Sequence, residues 1–157
     1  MNYVMLFILV TPFFSPEKDG KSCTDEIVRQ IGSASNSICV QAYNFTSPPI
    51  GAALAKAQRD GVKVKLIVDK VTQSQKNEQV SICRRAGVPV WVDRKHKIQH
   101  NKVMIFDGHK VITGSFNFSV NAETSNAENL VVIDDEKVAR EYLENWERHV
   151  THSEEVQ

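Results

Sequence analysis

Cysteine is scarce in this sequence, and its scarcity excludes a disulfide-stapled fold or one built on cysteine-bound zinc. The 157 residues include three cysteines, Cys23, Cys39 and Cys83, which cannot all pair within one chain. Their spacing matches none of the patterns that bind structural zinc. We therefore expect reduced thiols, mostly buried as small side chains.

Excess charge of one sign is also absent. Nineteen Lys and Arg residues balance nineteen Asp and Glu residues, so the formal net charge is zero. The chain lacks the long-range attraction that a strongly basic protein has for nucleic acid, so any polyanion site has to be local. The seven glycines and five prolines form no linker-like stretch, and 41% of the residues are hydrophobic. We predict a single domain over residues 1–157 with its own core.

A long hydrophobic run is missing except at the N-terminus. Residues 1–14 are too few to span a bilayer, which takes ~20 apolar residues in a helix, so we expect no stable membrane anchor. A secretory signal peptide normally has a basic residue before its apolar run and a small-residue cleavage site after it, and this sequence shows neither. Two interpretations stay open. The run is either the remnant of a signal peptide, which implies export to the periplasm, or a buried first strand over residues 7–14, which is compatible with the cytoplasm. In a strand, Pro12 needs an edge or a bulge.

Strand and helix signals alternate along the chain, which predicts a layered α/β domain. Thr24 is a candidate cap for a first helix, Pro48 and Pro49 begin a second, and Gly61 and Gly87 follow the ends of the second and third helices. The other predicted elements are strands at residues 38–43, 62–69, 88–92 and 130–133, a loop at residues 70–77, and an amphipathic helix at residues 137–149.

A tight hairpin is predicted between residues 103–106 and residues 111–113. Asp107-Gly108, a dipeptide favoured in tight turns, joins the two strands. Asp107 is five residues from Lys102 and out of phase with it in a strand, so we interpret Asp107 as mainly structural.

Four polar side chains flank this hairpin. His100 and Lys102 are two residues apart, so at the entry to the first strand they point to the same face. Ser115 and Asn117 do likewise at the end of the second strand. An imidazole, an ammonium, a hydroxyl and an amide at one sheet edge make a site for a tetrahedral oxyanion, with a nucleophile already in place.

The segment 100–117 resembles the HKD signature of the phospholipase D superfamily, H-x-K-x4-D-x6-G-S-x-N. All six defined positions match, namely His100, Lys102, Asp107, Gly114, Ser115 and Asn117. Further similarity to the small bacterial endonucleases of that superfamily lies in Tyr43-Asn-Phe-Thr-Ser, Gly61-Val-Lys-Val, Ala127-Glu-Asn129 and the Trp-containing last helix.

The resemblance implies the family's α/β sandwich, a mixed central sheet with helices on both faces. It also implies a phosphodiesterase that needs no metal or other cofactor, in which His100 attacks phosphorus and water hydrolyses the resulting phosphohistidine. The family's reacting pair is two histidines from two HKD motifs, whereas this chain has one motif. As in the small endonucleases, a homodimer is implied, with one active site at its interface and the second His100 as the acid.

The resemblance assigns roles to the remaining site residues. Lys102 and Asn117 are expected to hold the nonbridging phosphate oxygens, and Ser115 to add a hydrogen bond near them. Glu128 is expected to accept a hydrogen bond from the second ring nitrogen of His100, which fixes the tautomer and makes the ring more basic.

Other polar and aromatic residues have two interpretations each. Arg94, Lys95 and Lys97 precede His100 and are candidates to bind substrate phosphate, although charge runs are usually solvated loops. Tyr43 and Phe45 are candidates to stack on bases, but aromatic residues beside a buried strand are more often core.

The four other histidines are expected to lie in loops or in solvent, with His109 in the hairpin turn. They are His96, His109, His149 and His152.

Three functions remain to be distinguished. The short chain and its single motif favour a non-specific endonuclease acting on DNA or RNA, because phosphate contacts carry no base information. Hydrolysis of phospholipid head groups is the alternative, since both substrates are phosphodiesters. A nucleic-acid-binding protein without activity is the third, and the presence of all the reacting residues argues against it.

Overall fold

Eight β-strands form one mixed sheet in this computed structural model, which describes residues 8–16, 20, 22–75 and 78–156. The strands are β1 (Leu9–Ser15), β2 (Ser37–Ala42), β3 (Lys63–Asp69), β4 (Val90–Asp93), β5 (Lys102–Phe106), β6 (Lys110–Gly114), β7 (Glu128–Asp134) and β8 (Glu154–Glu155). Their order across the sheet is β1-β7-β6-β5-β2-β3-β4-β8. The pairs β2–β3 and β3–β4 are parallel, and the other neighbours are antiparallel.

Helices cover both faces of this sheet. They are α1 (Cys23–Ser33), α2 (Pro48–Arg59), α3 (Val80–Arg85), α4 (Val120–Thr124) and α5 (Glu136–Val150), with a short 3-10 helix at Thr72–Ser74. Helices α1 to α4 contribute to one hydrophobic cluster, while α5 packs against the other face through Ala139 and Trp146. The predicted α/β sandwich is confirmed.

Alternate residues of the central strands serve the two faces. In β2, Ile38 and Val40 belong to the cluster under α1 to α4, whereas Cys39 belongs to the cluster under α5. Because both faces are buried, a central strand is an apolar run along most of its length. The indole of Trp146 fastens α5 to the sheet by donating a hydrogen bond to the carbonyl of Val40, at 3.0 Å.

The first strand differs from its prediction in burial. β1 pairs with β7 at one edge of the sheet, and its side chains are mostly exposed, including Leu9 at 64% and Phe14 at 58%. The prediction of a buried strand was therefore wrong for most of this edge strand, although Phe13 packs against the core and Ser15 is buried. Pro12 lies on an edge strand, as its missing N–H requires. The signal-peptide interpretation of residues 1–14 falls partly on residues 1–7, which lie outside the described part.

Helix α1 begins two residues earlier than a Thr24 cap implies. The N-cap is Ser22, whose hydroxyl accepts the N–H of Asp25 at 3.1 Å. Thr24 already lies inside the helix, and its own N–H donates to the Glu123 carboxylate at 2.7 Å. Sequence alone did not distinguish Ser22 from Thr24 as the capping hydroxyl. Helix α2 begins at Pro48, as predicted. Gly61 and Gly87 follow the ends of α2 and α3, also as predicted, with positive φ angles of +98° and +87°.

The predicted loop at residues 70–77 contains the 3-10 helix, and residues 76–77 lie outside the described part. Strand β8 was not predicted. It pairs with β4 through Trp91 opposite Glu155 and Val92 opposite Glu154. A two-residue strand of glutamates has no apolar pattern, so the sequence offers no sign of it.

One edge of the sheet collects strand ends from distant parts of the chain. Ala42 at the end of β2 lies opposite Lys102 at the start of β5, and Asp69 and Asp93 end β3 and β4 side by side. We call this the active-site edge.

Cys23, Cys39 and Cys83 are buried and form no disulfide within the described chain, as predicted. Burial raises the pKa of Cys39 to about 11 and that of Cys83 to about 12, so these thiols stay protonated at neutral pH. None of the described helices is long and apolar enough to cross a membrane.

Candidate active site

The β5–β6 hairpin brings the HKD side chains to the active-site edge. β5 begins at Lys102, and β6 ends at Gly114, directly before Ser115. The strands are antiparallel, with Val103 opposite Thr113, so the start of β5 and the end of β6 meet.

An open cleft of about 520 Å³ lies there. Its lining residues are His100, Lys102, Gly114, Ser115, Asn117 and Glu128. The structure thus unites every catalytic candidate proposed from the sequence. His100 and Ser115 are exposed, whereas Lys102 is 6% exposed. The buried Oδ1 of Asn117 has no hydrogen-bond partner among the described residues, and an unsatisfied polar atom in a cleft is available to a ligand.

Lys102 is the buried cation of this cleft. Its Nζ donates a hydrogen bond to the carbonyl of His100 at 2.6 Å and lies 5.0 Å from the centroid of the Tyr43 ring. Burial lowers the pKa of Lys102, and the attraction of Glu128 partly offsets that effect. An ammonium has three donors, and this carbonyl uses one, so the remaining N–H groups are suited to an anion.

Glu128, at the start of β7, is held by uncharged neighbours. Its carboxylate accepts hydrogen bonds from the hydroxyl of Ser115 and from the side-chain amide of Asn126, the latter at 3.0 Å. The expected hydrogen bond with the His100 ring does not form within the described chain. Glu128 therefore lies in the cleft with its orientation set by Ser115 and Asn126, and its proposed bond to an imidazole requires a rearrangement or a second chain.

Gly114 of the motif is required by the close approach of two strands. Its φ angle is +152°, and a Cβ built there would lie 2.3 Å from the carbonyl oxygen of Asn129 in β7. That carbonyl accepts the N–H groups of Ser115 and Phe116, both at 3.1 Å. A side chain at position 114 would separate β6 from β7 and move Glu128 away from the cleft.

Asp107 lies at the opposite end of β5, about 17 Å along the strand from Lys102 at ~3.4 Å per residue. Its carboxylate accepts the backbone N–H groups of Ser35 at 2.9 Å and of Asn36 and Ser37 at 2.8 Å each. Burial acts to raise the pKa of Asp107, but these hydrogen bonds outweigh burial and lower it. The contacts agree with the structural interpretation of this residue and add an anchor for the loop before β2.

Tyr43 belongs to the cleft region, although sequence reasoning favoured the core for it. The centroids of the Tyr43 and His100 rings are 4.6 Å apart, with planes inclined at 56°. Phe45, two residues later, is 0% exposed and does belong to the core. The position of Tyr43 depends on the pairing of β2 with β5, which links residues about sixty positions apart in the chain and is not a local signal.

The basic run before His100 divides into two kinds of residue. Arg94 forms an ion pair with Glu154 of β8, with 2.6 Å between Nε and a carboxylate oxygen. Lys95 and Lys97 are exposed on the loop that leads to the cleft. Phosphate binding by these lysines remains a proposal, and Arg94 would have to leave Glu154 to take part.

Three of the other histidines form a cluster that the sequence analysis missed. Ring nitrogens of His96, His149 and His152 approach the carboxylate of Asp93, whose side chain is 0% exposed. Burial acts to raise the pKa of Asp93, but hydrogen bonds from the three imidazoles hold it well below its usual range. His96 and His152 lie in loops as predicted and His149 lies in the last turn of α5, but their shared contact with Asp93 was not predicted. His109, by contrast, lies in the hairpin turn as predicted.

We call these four residues, Asp93, His96, His149 and His152, the Asp93 cluster. Their sequence signal is two pairs with a spacing of three residues, which is weak evidence for a site without the fold.

Comparison with known proteins agrees with this geometry. The family described as the PLD-like domain of cardiolipin synthase matches residues 27–150. A Rickettsia prowazekii protein named Phospholipase D is 46% identical over 124 residues, which are 79% of this chain and 60% of that protein. The chain therefore spans less than two thirds of that relative's length.

Two further similarities bear on the family. Mitochondrial cardiolipin hydrolase of the dog, Canis lupus familiaris, is 32% identical over 129 residues, 82% of this chain and 51% of the relative. The crystal structure of Nuc from Salmonella typhimurium, a phospholipase D family member, superimposes with a TM-score of 0.87 at 35% identity, covering 96% of this chain and 99% of the other. With the family match over residues 27–150, these similarities show that the chain belongs to the phospholipase D superfamily.

Proposed function

We propose that this chain is a phosphodiesterase that hydrolyses nucleic acid through a phosphohistidine on His100. The observation that carries the proposal is the single cleft shared by His100, Lys102, Ser115, Asn117 and Glu128. A nucleophile, a buried ammonium and neutral hydrogen-bond donors around one space suit a phosphodiester, whose nonbridging oxygens gain negative charge as the nucleophile attacks.

The reaction proceeds by two displacements. In the first, a ring nitrogen of His100 forms a bond to phosphorus while the bond to the leaving oxygen breaks, and an acid protonates that oxygen. In the second, water attacks the phosphohistidine and gives a proton to the group that acted as the acid, and the imidazole leaves. Lys102 and the Asn117 amide stabilise the nonbridging oxygens in both steps, so the chemistry does not require a divalent cation.

The acid has to come from a second copy of the chain. Of the five histidines, three belong to the Asp93 cluster and His109 lies in the turn at the far end of β5. Among the described residues, His100 is thus the only histidine that lines the cleft. We propose a homodimer in which two His100 side chains face each other across a two-fold axis and share one active site.

Nucleic acid is the substrate that the surroundings of the cleft favour. The cleft is open, and the exposed lysines 95 and 97 lie on the loop entering it, so a long polyanion can follow the surface past His100. The side chains of the cleft are suited to phosphate and not to base edges, which predicts weak sequence preference.

Phospholipid is the second candidate substrate. It is favoured by the names of the Rickettsia prowazekii and dog relatives, Phospholipase D and Mitochondrial cardiolipin hydrolase. Ile98, which is 47% exposed two residues before His100, offers an apolar contact for a lipid surface. The same attack on phosphorus serves both substrates.

One experiment distinguishes these functions. The purified protein is incubated with supercoiled plasmid, and separately with vesicles containing phosphatidylcholine and cardiolipin, both in EDTA and well below the melting temperature. We expect nicked plasmid, intact lipid, and no nicking by His100→Ala, with His109→Ala as the matched control that keeps activity. Release of head groups without nicking would replace the nuclease by a phospholipase. Plasmid binding without cleavage would support the binding protein, and a strict need for added magnesium would contradict the mechanism.

A further inference from the structure

The Asp93 cluster lies where the last helix meets the active-site edge. Asp93 is the final residue of β4, and His96 follows in the loop that leads to His100. His149 lies in the last turn of α5, and His152 follows in the turn before β8. Because β8 pairs with β4, the two segments are held side by side by backbone hydrogen bonds as well.

The geometry of the cluster is that of a ligand shell. Nδ1 of His96, Nδ1 of His149 and Nε2 of His152 lie 2.8, 3.0 and 3.4 Å from Oδ2 of Asp93. One ligand atom from each residue can be chosen so that all four lie within 4.8 Å of one another. The pairwise distances between the three imidazole centroids are 5.0 to 5.1 Å.

Hydrogen bonding alone accounts poorly for this arrangement. The other oxygen of Asp93, Oδ1, accepts the backbone N–H groups of Lys95 at 3.0 Å and His96 at 3.2 Å. Three ring nitrogens then share Oδ2, although a carboxylate has about four lone-pair positions in all. Five donors thus compete for them in a buried place. A cation among the four side chains would remove this conflict, because each imidazole would offer a lone pair in place of a proton.

We propose that the Asp93 cluster binds one zinc ion through three imidazoles and one carboxylate. Zinc takes four ligands in a tetrahedron with distances of about 2.0–2.2 Å to nitrogen and oxygen, which places ligand atoms roughly 3.3–3.5 Å apart. The distances to Asp93 Oδ2 of 2.8 to 3.4 Å are already close to that range. Small rotations of the imidazoles bring the ring nitrogens together. Four protein ligands leave no open position, which is typical of a structural and not a catalytic zinc.

The zinc would act on the fold and not on the phosphodiester. Asp93 pairs with Asp69, and the N–H of Tyr43 bonds to Asn101 at 3.1 Å, so the cluster and His100 lie along the same edge. The cluster at the end of β4 and His100 before β5 are three strand spacings apart, with β3 and β2 between them, which is about 14 Å at ~4.8 Å per spacing. The ion would fasten the C-terminal helix to the loop that positions His100. The proposal is independent of the proposed function.

The test uses the whole protein without a histidine tag. After EDTA treatment and buffer exchange, zinc is titrated by calorimetry, and Co²⁺ is added separately to read its coordination from the visible spectrum. We expect one zinc per chain, a tetrahedral Co²⁺ spectrum, and a melting temperature raised by about 5–10 °C when free zinc is 100 times its Kd. Substitutions His149→Ala and His152→Ala should each weaken zinc binding by at least ~100-fold. Removing a residue that only hydrogen-bonds to a metal ligand typically weakens binding by ~10–100-fold.

Matched variants keep the result interpretable. His109→Ala removes a histidine outside the cluster and should bind zinc like the wild type. His96→Ala removes the most exposed ligand, at 44%, and tests the site if the more buried variants fail to fold. A folded wild type that binds no zinc would show that the cluster is a hydrogen-bonded network only. Zinc binding that persists in all three cluster variants would place the metal elsewhere, and both results would overturn the proposal.

Discussion

Glu128 shows how one side chain of the cleft is positioned by its neighbours. The Ser115 hydroxyl and the Asn126 amide each donate to one of its oxygens, and Ser115 itself accepts the N–H of Asn129 at 3.1 Å. The carboxylate is therefore fixed by groups that carry no charge. Its own charge remains available to the buried Lys102, whose pKa it raises against the effect of burial, and to an imidazole in the assembled site.

Glu128→Gln should lower kcat/KM about 10–100-fold, the loss typical when a group that orients a reacting ligand is removed. The amide keeps the shape but not the charge that stabilises an imidazolium. The pH–rate profile should therefore change, because the reacting groups meet one negative charge fewer in the assembled site. Unfolding by urea should change by no more than ~1 kcal/mol. Glu144→Gln, on the exposed face of α5, is the control, and an unaltered pH profile for Glu128→Gln would contradict the orienting role.

Asp107 is a second single residue whose role can be tested, and that role is structural. Asn tolerates the left-handed backbone found there, with φ +51°, so Asp107→Asn removes the charge without adding strain. We expect a loss of about 1–3 kcal/mol in the free energy of unfolding, because three backbone N–H groups lose an anionic acceptor. The specific activity of the folded variant should be unchanged.

The pH dependence of that loss follows from the lowered pKa of Asp107. Its contribution is fully present above the unfolded-state pKa, ordinarily about 3.9, and disappears as the pH falls through the lower folded-state pKa. Wild type and Asp107→Asn should therefore converge in stability at strongly acidic pH. Asp25→Asn, an exposed position in α1, is the control, and a difference that persists below both pKa values would show that charge is not the cause.

At the scale of elements, the contact of β6 with β7 decides the shape of the cleft. The ladder ends with Gly114 opposite Leu130, directly beside Ser115 and Glu128. Gly114→Ala should lower the free energy of unfolding by at least ~2 kcal/mol, since the new Cβ meets the Asn129 carbonyl in a backbone conformation that side chains avoid. The activity of the folded fraction should fall as well, because β7 carries Glu128.

The matched control for this element is Gly32→Ala in α1. A Cβ at Gly32 meets nothing within 4 Å, and alanine favours the helix, so stability should rise by up to ~1 kcal/mol. Equilibrium unfolding of both variants in urea, with activity assayed on the folded fraction, checks the pair. If Gly114→Ala changed the free energy of unfolding as little as Gly32→Ala does, β6 and β7 would have to separate easily at Gly114.

At the scale of the whole molecule, a shared active site predicts how mixed dimers behave. When His100→Ala is refolded with wild type so that subunits exchange, the mixed dimer keeps one histidine and lacks either nucleophile or acid. Proton transfer of this kind contributes ~10²–10⁴-fold, so activity on DNA should fall approximately as the square of the wild-type fraction. A p-nitrophenyl diester, whose leaving group needs no proton, should partly rescue the first step. A linear dependence, with exchange confirmed, would mean that each chain has a complete site. Mixing with His109→Ala should cause no loss.

Much of the candidate site was predictable because it is local in the chain. His100 and Lys102, and likewise Ser115 and Asn117, are each two residues apart beside a hairpin, and strand geometry places such pairs on one face. The Asp-Gly turn sets the hairpin and so brings the two pairs together. The α/β class followed from the alternation of elements. β1 was misjudged because apolar composition does not reveal whether a helix covers a strand.

What only the tertiary structure decided is the set of contacts between distant segments. Tyr43 reaches His100 through the pairing of β2 with β5, and the Asp93 cluster joins Asp93 to His149, 56 residues later. Neither contact has a periodic pattern, because each depends on how whole elements pack and on which loops they close. Side-chain direction along a strand is a property of a few neighbouring residues, so the sequence by itself determined the HKD hairpin. The neighbours of that hairpin depend on burying both faces of an eight-stranded sheet, and that is a property of the entire chain.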